Sequence, residues 1–330
     1  MTPSVDRRQF LSTLGVLGLS ASVGVSGNAL AVAPAFPSQM LTFYVPYAAG
    51  GLSDQVARMV GEGVTRTTKQ VVIVDYKLGA GGAIAVDALL RAPTDGYTML
   101  GATNGFFGVI PFINKVKYDP LADLVPAALL GDAFLPLVVN PKVPARTFNE
   151  LVAYAKANPG KLNFGSGGVG SGNHLSGEYF KKRTGVEIVH VPYKGGVAAL
   201  QACLAGDIDM IFGPESADSV LAGKLNAIAV MGSKRWNKLP TVPTSEEVGL
   251  KNWELRSWHT VLVSSRTPPD VVAQINTLVN RILSQPEMVT RLRAAGLEPA
   301  PLSVAELSAR AKADHRTFGQ LIRELGIVAT

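Results

Sequence analysis

A single cysteine, Cys203, stands in 330 residues, so no disulfide can form within the chain. Its neighbours, Ala198-Ala199-Leu200-Gln201-Ala202-Cys203-Leu204, are apolar and helix-forming. That setting suits a buried filler, because a reactive thiol needs an accessible, electropositive environment. Histidine is also scarce. The four present, His174, His190, His259 and His315, are dispersed with no H-E-x-x-H or C-x-x-C spacing, which excludes a legible metal centre. Lys and Arg form no run interleaved with aromatics, and the net charge of +6 is spread along the chain. A nucleic-acid role is therefore not expected, whereas a mild positive field favours small anions. Neither a G-x-x-x-x-G-K-[ST] phosphate loop nor a G-x-S-x-G nucleophile elbow occurs.

The first positive signal is N-terminal. Arg7-Arg8-Gln9-Phe10-Leu11 precedes a weakly apolar, glycine-interrupted stretch to Val25, and Ala29-Leu30-Ala31 offers a small-residue cleavage site. Paired arginines, an aromatic and a short apolar run make a twin-arginine export signal, residues 1–31, with cleavage near Ala31. The run from Phe10 to Val25 is shorter than the ~20 apolar residues of a membrane span. No later stretch reaches that length, so the exported chain is expected to be soluble. With 47% hydrophobic and 17% charged residues, the remaining roughly 300 residues suffice for two well-packed lobes.

Leu41–Val45 is a strand ending at Pro46, followed by a loop with Gly50-Gly51 and a helix capped by Ser53 or Asp54, with Val56, Met59, Val60 and Val64 on one face. A strand over Val71–Val74, a second glycine loop at 79–82, a helix through Ala92 and a strand over Tyr97–Ala102 complete a βαβ unit. Alternation restarts after the strand Leu135–Asn140. Strands follow at Leu162–Phe164, Val186–Val191, Ile208–Phe212 and Leu225–Val230, with helices between them. A crossing strand at Trp258–Ser264 precedes three helices, Pro269–Leu283, Pro286–Ala295 and Val304–Leu325. The pattern predicts an α/β protein of two lobes, each a mostly parallel sheet flanked by helices, with residues 38–138 and 259–330 in one lobe and 139–258 in the other.

Ligands in open α/β sheets lie at the carboxyl ends of strands, which points to loops 47–54, 79–83, 103–105, 165–174, 193–197 and 213–216. Glycine turns leading into helices present backbone N–H groups to anions. Gly165-x-Gly167-x-x-Gly170 matches a dinucleotide fingerprint, but the acidic residue about 20 positions on, Glu187, begins its strand instead of ending it. No dinucleotide or other cofactor is expected. A secreted hydrolase pairing His174 with Ser166 or Ser171 is the alternative; it lacks an evident acid to orient the imidazole. A simpler role for His174 is to hydrogen-bond the preceding loop.

The succession Val45-Pro46-Tyr47-Ala48-Ala49-Gly50-Gly51-x-x-Asp54, Gly79-Ala80-Gly81-Gly82, Asp95-Gly96-Tyr97, His174-Leu175-x-Gly177-Glu178, His190-Val191-Pro192-Tyr193-Lys194-Gly195, Gly206-Asp207-Ile208-Asp209 and Leu239-Pro240-x-Val242-Pro243-Thr244 resembles the periplasmic solute receptors of tripartite tricarboxylate transporters, the Bug family. The resemblance covers nearly the whole exported chain. It implies a type II-like periplasmic-binding fold that closes on a small carboxylate, often through ordered water. Its partners would be transporter membrane components or a sensor ectodomain, and it would act as a monomer. Candidate ligand contacts are Tyr47, Ala49, Gly50, Gly51 and Asp54 in the first loop and Thr103 and Asn104 in the third. Ser166, Ser171, Asn173 and His174 come from the fourth loop, Tyr193 and Gly195 from the fifth, and Glu215 from the last.

At the last loop the sequence departs from the resemblance. Relatives commonly carry Asp-Asn-Leu-Pro-Ser where this chain reads Gly213-Pro214-Glu215-Ser216. A cleft-facing Glu215 would disfavour a second carboxylate and suit a neutral or cationic far end. A solvated Glu215, placed at a helix start by the dipole, would do neither.

Overall fold

A computed structural model describes residues 36–253, 255 and 257–327. The expected export signal, residues 1–31, lies outside the described residues.

Strand β1 (Leu41–Val45) alternates as expected, with Leu41, Phe43 and Val45 buried. Helix α1 (Leu52–Thr68) buries Val56, Met59, Val60 and Val64. Its N-cap is Gly51, with no side-chain cap; the expected Ser53 or Asp54 cap is not formed. Asp54 lies inside the first turn and reaches back to accept the Gly50 N–H at 2.8 Å. β2 (Val72–Tyr76), α2 (Ala83–Arg91) and β3 (Thr98–Thr103) follow. Two single-turn helices, α3 (Gly105–Gly108) and α4 (Ile110–Ile113), lead to β4 (Leu124–Ala133).

One residue, Phe134, separates β4 from β5 (Leu135–Val139), which belongs to a second sheet. That sheet is completed through α5 (Phe148–Ala157), β6 (Asn163–Ser166), α6 (Gly172–Thr184), β7 (Val189–Pro192), α7 (Gly196–Ala205), β8 (Met210–Phe212), α8 (Ala217–Leu221) and β9 (Asn226–Met231). The chain rejoins the first sheet at β10 (Ser257–Ser264). It ends with α9 (Pro269–Leu283), α10 (Pro286–Ala295), β11 (Leu297–Glu298) and α11 (Val304–Leu325).

The sheets run β11-β4-β10-β3-β1-β2 and β7-β6-β8-β5-β9. Both are mixed, which corrects the mostly parallel expectation. Each keeps a parallel trio, β2-β1-β3 and β7-β6-β8. The strands that carry the chain between sheets, β4, β5, β9 and β10, pair antiparallel. Crossover helices enforce parallel pairing only between the strands they connect; β4 and β5 are joined without one.

Cores form where the apolar faces meet. α1, α9 and α10 pack on β1 and β3 through Val60, Ile275, Ile282 and Leu292. In the second sheet, Leu137, Phe164, Phe180 and Phe212 cluster with Val109 and Ile113 from the first half of the chain and with Phe318, Leu321 and Ile322 of α11. Cys203 is fully buried and its thiol is pushed up to about 12 by burial, so it packs and does not react.

Candidate functional site

The carboxyl ends of β1, β2 and β3 bring the first three loops together. Tyr47 sits beside Thr103, with the two hydroxyls hydrogen-bonded, and Thr103 Oγ1 accepts the Gly105 N–H at 3.3 Å. Gly82, at φ +105°, lies against Pro46 and the Phe106 ring, and Gly81 approaches the Asn114 amide. Asp54 holds the first loop from within. Its carboxylate accepts from Gly50 N–H, from Arg58 Nε at 2.9 Å and from the Tyr76 hydroxyl at 2.6 Å. Burial disfavours its charge, but the Tyr76 hydroxyl, the Gly50 N–H and the Arg58 guanidinium outweigh it and keep Asp54 below the usual carboxylate range. Asn104 turns inward. Its Nδ2 donates to Asp314 Oδ2 at 2.8 Å, and the same carboxylate oxygen accepts Trp258 Nε1 at 2.7 Å, which ties the third loop to α11 and β10.

The left-handed position in the first loop is Gly50, at φ +86° with open space around it. Gly51 is extended, and a Cβ there would meet only the Ala48 carbonyl oxygen at 3.6 Å. Of the two glycines in this loop, Gly50 and not Gly51 therefore occupies the backbone conformation that demands glycine.

The second sheet presents the other three loops. Ser166 is fully buried. Its hydroxyl accepts the Gly168 N–H at 3.1 Å and meets His190 Nε2 at 2.6 Å. His190 stacks on His174 with centroids 4.0 Å apart and on Phe164 at 4.9 Å. His174 Nδ1 accepts the Gly170 N–H at 3.1 Å, so that nitrogen is unprotonated and binds the loop. Burial lowers both imidazoles to about 4, assisted at His174 by the Lys181 charge and at His190 by His174. Ser171 caps α6 by accepting His174 N–H at 3.3 Å.

Gly167 packs on Gly195 and Gly196, and Gly168 faces the Tyr193 carbonyl, so the fourth and fifth loops share a backbone surface. Gly195, the N-cap of α7, has φ +108° and open space beside it. Asn173 Nδ2 donates to the Phe212 carbonyl and, at 3.3 Å, to Glu215 Oε1. Glu215 is thus turned inward over the starts of α6 and α7, with a carboxyl that burial pushes up to about 7. The two halves meet where Gly170, at φ +78°, lies against Ile113 and Val109; a Cβ there would overlap the Ile113 side chain.

Sequence reasoning did not single out Arg58, Tyr76, His190 or Asp314. The Asp54/Arg58 pair at i, i+4 was a readable signal. The other three are brought in by tertiary packing, for which no local spacing exists.

A family model described as the tripartite tricarboxylate transporter family receptor matches residues 56–327. The chain belongs to that receptor family. BugT of Bordetella pertussis is 30% identical over 98% of this chain and 99% of its own length. Among solved structures, Rpa4515 of R. palustris, determined with adipate, aligns at a TM-score of 0.84 and 30% identity, covering 89% of this chain and 100% of that one. MatC from Rhodopseudomonas palustris with bound malate aligns at 0.79 and 29% identity, covering 87% and 100%. This Bug-family receptor is accordingly a periplasmic solute-binding protein and not an enzyme. The hydrolase alternative finds no support in the family, and His174 spends its Nδ1 lone pair on the loop.

Proposed function

We propose that this receptor captures a small organic acid between loops 47–54 and 103–105 on one side and loops 165–174, 193–197 and 213–216 on the other. It would deliver the acid, as a monomer, to the membrane components of a tripartite transporter or to a sensor ectodomain. The lobes would be residues 38–138 with 259–330, and 139–258. Export by the twin-arginine route, with cleavage near Ala31, would place it there.

The observation that carries this reading is the meeting of Gly170 with Ile113 and Val109, which puts the loop before α6 against the short helical segment that follows β3 and so supports a site shared by loops of both sheets. Adipate and malate in two solved relatives favour an organic acid. Direct contacts would come from Tyr47, Ala49, Gly50, Gly51, Thr103, Ser171, Asn173, Tyr193, Gly195 and Glu215. Asp54, Asn104, Ser166 and His174 would hold the loops in shape. Helix N-termini and glycine amides bind carboxylate without a charged side chain, and a one-to-one complex would raise the melting point by mass action.

A thermal-shift screen of exported protein against monocarboxylates, dicarboxylates, amino acids and nicotinate-like acids tests this. Stabilisation by an acid recovered chemically unchanged supports the reading. No response to any acid, or a recovered product, overturns it.

A further inference from the structure

Glu215 lies in the short turn Pro214–Ser216 after β8, a turn pinned by Ser216 Oγ donating to the Gly213 carbonyl at 2.7 Å. Its carboxyl folds back over the strand ends. Asn173, in the first turn of α6, donates to Oε1. A Cβ on either Gly196 or Gly213 would overlap the same carboxyl group. Glycine at these two positions makes room for a side chain of the protein itself, at the start of the 10-residue helix α7 and beside the start of the 13-residue helix α6.

The first turn of α6, through the Asn173 amide, and the first residue of α7, Gly196, border one spot. That spot already holds a carboxyl group. Gly195, one residue before Gly196, has open space where a side chain would stand, and a ligand end seated there would lie next to Glu215. An anionic end there would face a like charge at short range, in surroundings of reduced dielectric. An ammonium or amide end would instead give Glu215 a hydrogen-bond donor.

We propose that Glu215 determines specificity by standing in for the second carboxylate of a diacid, so that the receptor selects carboxylic acids whose far end donates hydrogen bonds. This rests on the organic-acid reading above and narrows it. Burial raises the carboxyl to about 7, consistent with a group kept from bulk water and short of a cationic partner.

The test is calorimetry at pH 8 on wild-type and Glu215→Gln exported protein with two matched series. One is succinate, glutarate and adipate; the other is γ-aminobutyrate, δ-aminovalerate and ε-aminocaproate. The wild type should prefer the best amino acid over the best diacid by about tenfold or more, and Glu215→Gln should shift the ratio towards the diacid by a similar factor. Circular dichroism should show both proteins equally folded. A wild type that prefers diacids, or a ratio that Glu215→Gln leaves unchanged, overturns the inference while leaving the organic-acid reading in place. Failure of both series on both proteins overturns the two together.

Discussion

Gly170 rests on Ile113 with no room for a side chain between them, although 57 positions separate them in the sequence. The contact joins the loop before α6 to the single-turn helix α4. Gly170 also has φ +78°, so a substitution meets both overlap and left-handed strain of about 1 kcal/mol or more. Gly170→Ala should weaken ligand binding strongly in calorimetry and lower the melting point. Unchanged affinity would remove this contact from the site.

The first loop offers a matched pair. Gly50→Ala should cost about 1 kcal/mol of backbone strain and reduce affinity, because the displaced turn loses the Gly50 N–H bond to Asp54. Gly51→Ala fits the extended backbone and the 3.6 Å space and should leave melting temperature unchanged. Equal melting temperatures for the two variants would refute this assignment of the strained position.

Glu215 and the histidine stack tie stability to pH with opposite signs. A carboxyl raised to about 7 contributes fully below its ordinary value near 4.5, and that contribution is lost as pH rises through 7. Glu215→Gln should therefore raise the melting point of ligand-free protein at pH 8 and change it little at pH 5. The same shift at both values would mean that Glu215 ionises normally.

His174 and His190, lowered to about 4, are neutral in the fold but protonate near 6.5 when unfolded. Their contribution is full above 6.5 and lost as pH falls towards 4. Urea midpoints should decline over that window, and more weakly in His190→Phe, which keeps a ring on Phe164 and His174. A parallel decline in the variant would exclude His190 as a source.

Twin-arginine export predicts that changing Arg7 and Arg8 together to lysine leaves unprocessed protein in the cytoplasm. Normal periplasmic yield would point to general secretion.

Much of the fold was legible where local chemistry acts alone. The three C-terminal helices fall at the predicted residues, because each pairs an apolar stripe with Pro at its start or a Ser303/Glu306 capping box. Helix α5 starts at the same kind of box, formed by Thr147 and Glu150, a local sign that the strand–helix alternation alone does not carry. Strand β4 was not legible, since Pro126 and Gly131 interrupt its apolar run, and pairing with β10 and β11 overrides them. At the site, glycine turns revealed which loops converge. Whether a polar side chain faces in or out depended on distant partners such as Tyr76 and Asp314, which no spacing announces.

Helix α11 belongs to two cores. Leu307 and Ala311 pack with Trp258 and Phe107, whereas Phe318, Leu321 and Ile322 pack with Phe164 and Phe212. At ~1.5 Å per residue, these 22 residues form a splint about 33 Å long. Any swing of one sheet against the other must peel one end of this splint from its bed or carry it along. The last turns, residues 318–325, then become the natural place to read the motion, as amides that exchange with solvent in step with opening and fall silent when the cleft is filled.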